Sequence, residues 1–359
     1  MRLLRVLFTT LAVLSLLGCA NLSYYAQAVN GQVEILSKAR PIDKVIADPE
    51  TGPDLKEKLA TVLTLRDYAS RELGLPDNSS YRAYADVGRQ YVLWNVFATP
   101  ELSLKPREWC FLVTGCVAYR GYFAREDAEA FAAKLRAEGH DVYVGGVTAY
   151  STLGWLRDPM LNTIVHRPTV EIAGLMFHEL AHQRLYVRGD TAFSESFAMT
   201  IELEGIRRWL RQTADDDAYA RYEERLKRRE EFVALVLKHR DRLEQLYDSG
   251  VTVEEKRAGK TQIFAEMRED YARLKERWGG HAAYDAWFAQ DLNNAHLLSL
   301  GTYHRHVPAL QALLRTHKGD LSAFYAAVTE LGQLPEIERT AALGSILTTA
   351  TLPARLEER

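Results

Sequence analysis

Two histidines and a glutamate are spaced so that together they could bind a metal ion and activate water. The segment 178–182 is His-Glu-Leu-Ala-His. Residues four apart lie on one face of a helix, so His178 and His182 would direct their rings to one point. Imidazoles bind Zn²⁺, and Glu179 is placed to take a proton from water. We predict a site for one zinc ion; the alternative is a partly exposed helix with ordinary histidines.

A third ligand should come from the next element of the chain. After a tight turn at 189–190, antiparallel packing of the following helix would carry Glu195 back toward His182. We therefore predict Glu195 as the third ligand, with Glu202 and Glu204 as alternatives. Glu202 lies two turns further along the same face and could orient a ligand histidine through a hydrogen bond. Glu195 could instead be an ordinary carboxylate at a helix N-terminus.

The segments 178–183 and 194–198 resemble the metal-binding segments of gluzincin metallopeptidases. In that group, His-Glu-Leu-Ala-His-Gln is followed by Asn-Glu-Gly-Phe-Ala, whose glutamate is the third zinc ligand. Here the gap is shorter than in thermolysin, and Ser194 and Ser196 replace the Asn and Gly. The chain more closely resembles a bacterial family of predicted zinc-dependent aminopeptidases that are also predicted lipoproteins. Beyond the metal segments, this resemblance is most specific at 110–123, 149–155 and 293–295.

The expected reaction is peptide-bond hydrolysis, with removal of N-terminal residues implied by the resemblance. Zinc would polarise the scissile carbonyl and lower the pKa of a water molecule toward about 7. Glu179 would accept the water proton as general base and pass it to the leaving amine. Gluzincins use a downstream tyrosine or histidine to stabilise the oxyanion. Tyr303 is the candidate here, ahead of His304 and His306; alternatively, these residues only pack or face solvent.

The substrate is expected to bind as an added strand at a sheet edge above the metal helix, as zincins commonly do. The edge would be 145–152, and Glu171 and Asp158 are candidates to bind the substrate ammonium. Three rival functions remain open. The first is an endopeptidase with the same metal site. The second is a non-catalytic, membrane-anchored lipoprotein with a metal-supported scaffold that binds a partner through its charged helical pair. The third is a membrane-surface chaperone without a metal.

The first 18 residues have the features of a bacterial lipoprotein signal. Arg2 and Arg5 precede an apolar run over 6–17, which is too short to span a bilayer comfortably. The run ends in Leu-Leu-Gly-Cys, which resembles a lipobox, so we predict that Cys19 is lipidated and anchors the protein to a membrane. The alternative is an ordinary signal peptide. The predicted location is the cell envelope, at the periplasmic face of the outer membrane if the host has two membranes.

Export would place the other two cysteines, Cys110 and Cys116, in an oxidising compartment. A pair six residues apart is then a plausible disulfide that closes a small loop. Two buried free thiols are the alternative. A zinc site at these cysteines is disfavoured because no histidine is near them in the sequence.

Helices must position the metal-binding residues. Apolar spacing predicts helices over 169–188 and 191–212, and charged periodic segments over 215–247 and 253–278 predict a long helical hairpin with a solvated outer face. Helical spacing also occurs within 24–74, and further helices are predicted over 127–138, 283–300, 307–316 and 321–331. Strands are predicted over 91–97, 111–113 and 142–150.

These elements predict a helix-rich α+β protein, zincin-like, with one small sheet packed on the HExxH helix, a helical hairpin and C-terminal helices. The predicted parts are a signal peptide (1–18), an N-terminal α+β part (19–160) and a helical part (161–359) with the metal site in 161–213 and the hairpin in 214–280. The net charge is −3 over 359 residues. Such a weak charge gives no reason to expect a nucleic-acid partner. The sequence leaves the oligomeric state open.

Overall fold

The computed structural model describes residues 24–111, 115–149, 151–214, 216–298 and 306–351. Helices dominate the chain, as expected. The helices are 24–38 (α1), Ile42–Ala47 (α2), Pro53–Arg71 (α3), Arg125–Ala137 (α4), Asn162–Val165 (α5), Thr169–Arg184 (α6), Thr191–Thr213 (α7), Asp216–Asp248 (α8), Val253–Arg277 (α9), Asp285–Phe288 (α10), 294–298 (α11), Val307–Thr316 (α12), Leu321–Gln333 (α13) and Glu336–Thr351 (α14). The strands are Arg40–Pro41 (β1), Ala83–Ala85 (β2), Leu93–Pro100 (β3), Trp109–Phe111 (β4), Gly115–Val117 (β5), Tyr119–Tyr122 (β6), His140–Val147 (β7) and Met160–Leu161 (β8).

The expectation of one small sheet is wrong, because the described strands form three. Sheet A has the order β1-β2-β8, sheet B the order β6-β3-β7, and sheet C is the hairpin β4-β5. Sheet B is antiparallel throughout, whereas β2 and β8 in sheet A are parallel. Sheet A was not predicted because β2 pairs in it with two very short strands that are far from it in sequence. No local sequence pattern reveals such pairing.

Sheet B places its two faces in different surroundings. Its register puts Val96 and Val142 on one face, and this face packs against Ala132 of α4. Leu93 lies opposite Val147 on the other face, and both residues line a cleft that also contains the HExxH motif. Sheet B therefore faces α6 across this cleft rather than packing directly on it.

The HExxH helix, α6, is embedded in the main core. One of its sides carries fully buried apolar residues, including Met176, Phe177 and Leu180. They belong to one cluster with residues of α3, α7, α13 and sheet A. Each large apolar side chain buried in this way contributes about 1.5–3 kcal/mol, so the core holds the backbone of α6 in place while its histidines face the cleft.

The predicted helical hairpin is confirmed as α8 and α9. The two helices pack through a separate core that includes Phe232, Val236 and Met267. Thr252 begins α9 with a capping box: its side chain accepts from the Glu255 backbone, and the Glu255 side chain accepts from the Thr252 backbone. Within the described residues, no helix is long and apolar enough to cross a membrane.

Two helix predictions need correction. The helix predicted over 169–188 ends at Arg184, because Leu185 turns to an extended conformation. The single helix predicted over 283–300 is interrupted between Phe288 and residue 294. Buried Asn294 explains the break: its side chain donates to backbone carbonyls in the segment after β3, and its backbone N–H donates to Asp141 at 2.9 Å. The helix α14 was not predicted.

Candidate metal centre and active site

The turn between α6 and α7 brings the two halves of the site together. Gly189 adopts a φ of 82°, a conformation that glycine reaches without strain. Asp190 then caps α7, because its side chain accepts from the Phe193 N–H at 2.9 Å. Ser194 strengthens the turn, since its hydroxyl accepts from the Val187 N–H at 3.0 Å. The result is an antiparallel helix pair in which the start of α7 lies beside the end of α6.

His178, His182 and Glu195 form a buried cluster at this junction. Nε2 of His178 lies 3.2 Å from Oε2 of Glu195, and Nε2 of His182 lies 3.6 Å from the same oxygen. One ligand atom from each residue lies within 4.8 Å of the others. The prediction that Glu195 would reach the two histidines therefore agrees with the geometry.

The spacing of these three ligand atoms fits a metal ion. Two ligands of a tetrahedral zinc ion, each at about 2.0–2.1 Å, lie about 3.3 Å apart. The distances of 3.2 and 3.6 Å from Glu195 to the two histidines are close to that value. Two imidazoles and one carboxylate are also the donor set of catalytic zinc sites, which keep a fourth position open. The cluster can therefore bind a metal ion.

The charges of the cluster favour a cation. Burial alone would raise the pKa of Glu195, but His182 and His178 outweigh it and lower the pKa to about 2. Burial alone would lower the pKa of His178, yet its hydrogen bonds with Glu195 and Glu202 raise that pKa well above its usual value. Glu195 is therefore ionised, and the two carboxylates favour positive charge between them.

The other candidate carboxylates of α7 lie outside the cluster. Oε2 of Glu202 lies 3.1 Å from Nδ1 of His178, on the side of the ring that faces away from Glu195. This contact matches the predicted orienting interaction. Nδ1 of His182 is buried and has no hydrogen-bond partner in the described part of the chain. Glu204, an alternative ligand, accepts from Nε of Arg208 at 2.7 Å instead.

Glu179 borders two cavities that meet at the metal cluster. The sheet-side cleft, about 460 Å³, lies between sheet B and α6 and also contains His182 and Glu195. A second cavity, about 390 Å³, lies between α6, α7 and α8 and also contains Glu202. Burial raises the pKa of Glu179, while the two histidines act in the opposite direction. Its carboxylate is therefore placed beside both spaces that a substrate could occupy.

The polar side chains of Asn95, Tyr119 and Tyr186 are among those in the sheet-side cleft that were not predicted as site residues. Oδ1 of Asn95 is buried and has no hydrogen-bond partner among the described residues. Gly121, its neighbour on β6, leaves space beside this oxygen. The sequence signal was a lone asparagine within the apolar run 91–97, and Tyr119 lies in the distinctive segment 110–123.

Several predicted residues lie outside the described residues. Cys19, Tyr303 and His304 are among them, as is Tyr150 of the predicted sheet edge. His306 is described and buried, and its backbone N–H donates to the Ser196 hydroxyl at 3.1 Å. That contact places His306 beside the residue that follows Glu195.

The remaining candidates have defined positions. Cys110 and Cys116 are joined in a disulfide across sheet C. Gly145 lies on β7, an edge strand of sheet B. Neither proposed ammonium ligand lines the sheet-side cleft. Asp158 accepts from Thr152 at 2.8 Å, and Glu171 pairs with an arginine of α8 in the second cavity.

Comparison with known proteins identifies the family. No curated protein and no solved structure matches the chain. A family model described as "Putative aminopeptidase" matches residues 23–343, which include both helices of the metal cluster and the helical hairpin. This match covers most of the 359 residues, and the described structure contains a buried His-His-Glu cluster beside a glutamate. The chain therefore belongs to the putative aminopeptidase family.

Proposed function

We propose that this protein is a zinc metallopeptidase that removes N-terminal residues from peptides. The observation that carries the proposal is the position of Glu179, directly after a metal-binding histidine and beside both cavities. A site that only stabilised the fold would not need this glutamate, and structural zinc sites are usually closed and rich in cysteine. Family membership supports aminopeptidase activity.

In this proposal each residue of the cluster has one role. His178, His182 and Glu195 hold the zinc ion, and Glu202 orients His178. Bound zinc supplies Lewis-acid chemistry, polarising the scissile carbonyl and lowering the pKa of water. Glu179 accepts a proton from the attacking water and donates it to the leaving amine. Its raised pKa favours this exchange, because a general base works best when its pKa approaches the working pH.

The peptide is proposed to lie in the sheet-side cleft along sheet B. Val147 and Ala149, at the end of β7, line this cleft and provide backbone for pairing with an extended substrate. The unpartnered amide oxygen of Asn95 can accept a hydrogen bond from a substrate N–H or ammonium. Tyr303 remains the proposed oxyanion donor, supported by the contact of nearby His306 with Ser196.

One observation favours the endopeptidase alternative. Within the described residues, Glu179 and Glu195 are the carboxylates that line the sheet-side cleft. Glu195 is a proposed ligand and Glu179 the proposed base, so neither is free to bind a substrate ammonium. An aminopeptidase would then hold the ammonium through neutral acceptors, whereas an endopeptidase would not require such a group.

A panel of substrates separates these activities. Purified protein is assayed with fluorogenic aminoacyl substrates and with internally quenched peptides blocked at both ends. Glu179→Gln should abolish hydrolysis while the protein still contains zinc, and Glu57→Gln, at an exposed position on α3, should not. Equal activity of wild type and Glu179→Gln would refute the proposed role. Cleavage of only the blocked peptides would establish the endopeptidase.

We also propose that the chain is a lipoprotein anchored through Cys19 in a bacterial envelope. The support is the order of basic residues, apolar run and Leu-Leu-Gly-Cys at the start of the chain. Labelling cells with an alkyne fatty acid should tag the wild type and not Cys19→Ser. Labelling of both proteins would refute this anchor.

A further inference from the structure

The second cavity beside Glu179 has a wall of arginines. Arg167 contributes from the turn before α6, and Arg225 and Arg229 contribute from α8. His178 and Glu179 line this cavity and also the sheet-side cleft. The two spaces therefore share two residues of the proposed catalytic centre. We call the second space the arginine cavity.

The arginine cavity contains more hydrogen-bond donors than acceptors. Each guanidinium has five N–H donors. Arg225 donates to Glu171 at 2.8 Å, whereas Arg167 approaches the same carboxylate only to 3.7 Å. Arg229 lies 3.7 Å from Glu202, too far for a hydrogen bond, and makes no hydrogen bond to any other described residue. Most of these donors therefore have no acceptor within the described protein.

A buried tyrosine adds another unused donor. Tyr222 lines the arginine cavity and is only 6% exposed. Its hydroxyl has no hydrogen-bond partner in the described residues. Burial raises the pKa of Tyr222, so the hydroxyl keeps its proton and remains a donor. Leaving a buried hydroxyl unsatisfied is costly, so the Tyr222 hydroxyl is available to donate to a water molecule or to a ligand atom in the cavity.

The carboxylates of the arginine cavity are already engaged. Glu171 is held between two arginines, and Glu202 is divided between His178 on one oxygen and Arg229 on the other. Glu179 is the proposed base at the metal end. A ligand that matches the remaining guanidinium and hydroxyl donors must carry a planar, anionic acceptor. A carboxylate is such a group, and guanidinium groups bind it through paired hydrogen bonds.

We propose that the arginine cavity binds a carboxylate of the peptide substrate, on the leaving-group side of the scissile bond. This inference rests on the proposed peptidase function. Arg229 and Arg225 pair with the carboxylate, and the Tyr222 hydroxyl donates to it. One glutamate separates Arg229 from His178, so at about 3.4 Å per extended residue a carboxylate within two or three residues of the scissile bond can reach the arginines. The preferred substrates are short peptides with a free C-terminus, or longer peptides with an acidic residue near the cleavage site.

Matched pairs of peptides test the inference and identify the source of the carboxylate. The first pair is Leu-Ala-Ala as free acid and as C-terminal amide. The second pair is amidated, Leu-Asp-Ala-amide and Leu-Asn-Ala-amide. We expect kcat/KM to be at least about tenfold higher for the carboxylate-bearing member of one pair, which is the effect of one charge-assisted hydrogen bond. A preference in the first pair identifies the C-terminus, and one in the second identifies an acidic side chain.

Variants assign the preference to the arginine cavity. Arg229→Gln and Tyr222→Phe should each reduce the ratio of acid to amide, and the change should lie mainly in KM. Comparing ratios cancels any effect of Arg229 on Glu202, because that effect acts on both peptides. Arg240→Gln, further along α8 and paired with Glu244 at 3.6 Å, should leave the ratio unchanged. An equal ratio in wild type and both cavity variants, or no preference in either pair, would overturn the inference.

Binding separates failure of this inference from failure of the proposed function. Glu179→Gln is titrated calorimetrically with the same free acids and amides, so that no turnover is needed. Tighter binding of the acids without hydrolysis by the wild type would support the cavity and refute the peptidase. Hydrolysis by the wild type with equal binding of acids and amides would refute the cavity and leave the peptidase intact.

Discussion

Removing the carboxylate of Glu202 should weaken metal binding without removing a ligand. Oε2 of Glu202 lies 3.1 Å from Nδ1 of His178. It can accept from Nδ1–H while Nε2, which faces Glu195, gives up its proton to bind the metal. In Glu202→Ala this ring can rotate and can change tautomer. We therefore expect the apo protein to fold and the zinc affinity to fall.

The expected loss is about 10- to 100-fold in affinity, the usual cost of removing a group that orients a metal-binding histidine. This corresponds to about 1.4–2.7 kcal/mol. The upper part of the range applies here because the Nδ1 of His182 has no partner within the described chain that could compensate. Glu202→Gln retains an acceptor and should lose less.

Zinc affinity is measured by competition with a chromogenic chelator, with circular dichroism as the check on folding. The matched control is Glu204→Gln, which changes a carboxylate two residues away on the same helix. Glu204 accepts from Arg208 at 2.7 Å and does not contact the cluster. Its substitution should leave the zinc affinity unchanged, even if the free energy of unfolding falls.

Two results would refute this reasoning. Unchanged zinc affinity in Glu202→Ala would show that His178 needs no carboxylate to bind the metal. An equal loss in Glu204→Gln would show that the effect comes from general disturbance of α7 rather than from the His178 contact.

Three further predictions concern stability. Zinc at about 1,000-fold excess over its Kd should stabilise chelator-treated protein by about 4 kcal/mol in thermal melts, and Glu195→Ala should lose most of this gain. Burial lowers the pKa of His296 to about 4, whereas a histidine in the unfolded chain has a pKa of about 6.5. The unfolded chain therefore binds this proton first as the pH falls. In urea titrations, the free energy of unfolding should drop by about 2 kcal/mol between pH 7 and 5, relative to His296→Gln. Asp190 accepts from buried Arg339 at 2.6 Å. Asp190→Ala leaves this arginine without its partner and should lower the free energy of unfolding by about 3–5 kcal/mol. Arg257→Gln, at an exposed ion pair, should change the free energy of unfolding little.

The metal cluster was predictable from the sequence because its geometry is local. His178 and His182 are one turn apart, and only a short turn separates their helix from the one that carries Glu195. Helix spacing and a glycine–aspartate turn are enough to predict that these residues meet. The contact of Glu202 with His178 follows from the same periodicity, because seven residues correspond to two helical turns.

The walls of the two cavities could not be predicted in this way. Asn95 reaches the sheet-side cleft only because β3 pairs with β6 and β7. That register joins residues up to 54 positions apart in sequence, such as the paired Leu93 and Val147. Arg229 reaches the arginine cavity because α8 returns along α7. The charges of α8 were interpreted as a solvated face. Arg229 keeps 34% of its side chain exposed but also lines the arginine cavity, together with buried Tyr222.

The interruption between α10 and α11 shows how a side chain can override helical periodicity. The spacing over 283–300 predicts one helix, but Asn294 is fully buried and accepts from the Tyr247 hydroxyl at 2.9 Å. It joins α8 to the segment after β3, where its amide donates to the Glu101 carbonyl. The segment 293–295, distinctive in the sequence, therefore has a structural role in these contacts rather than a place beside the metal cluster.

The precision of the metal cluster depends on how closely α6 and α7 pack. A Cβ at Gly174 of α6 would lie 2.8 Å from Ile206, and one at Gly205 of α7 would lie 2.6 Å from Phe177. A side chain at either position would therefore force its neighbour to shift, so both glycines favour the observed helix separation. At that separation, Glu195 and Glu202 reach the two nitrogens of one imidazole from positions two turns apart. A wider spacing would lengthen both contacts together, so the same two glycines that allow the core to close also set the distance at which a metal ion can be bound.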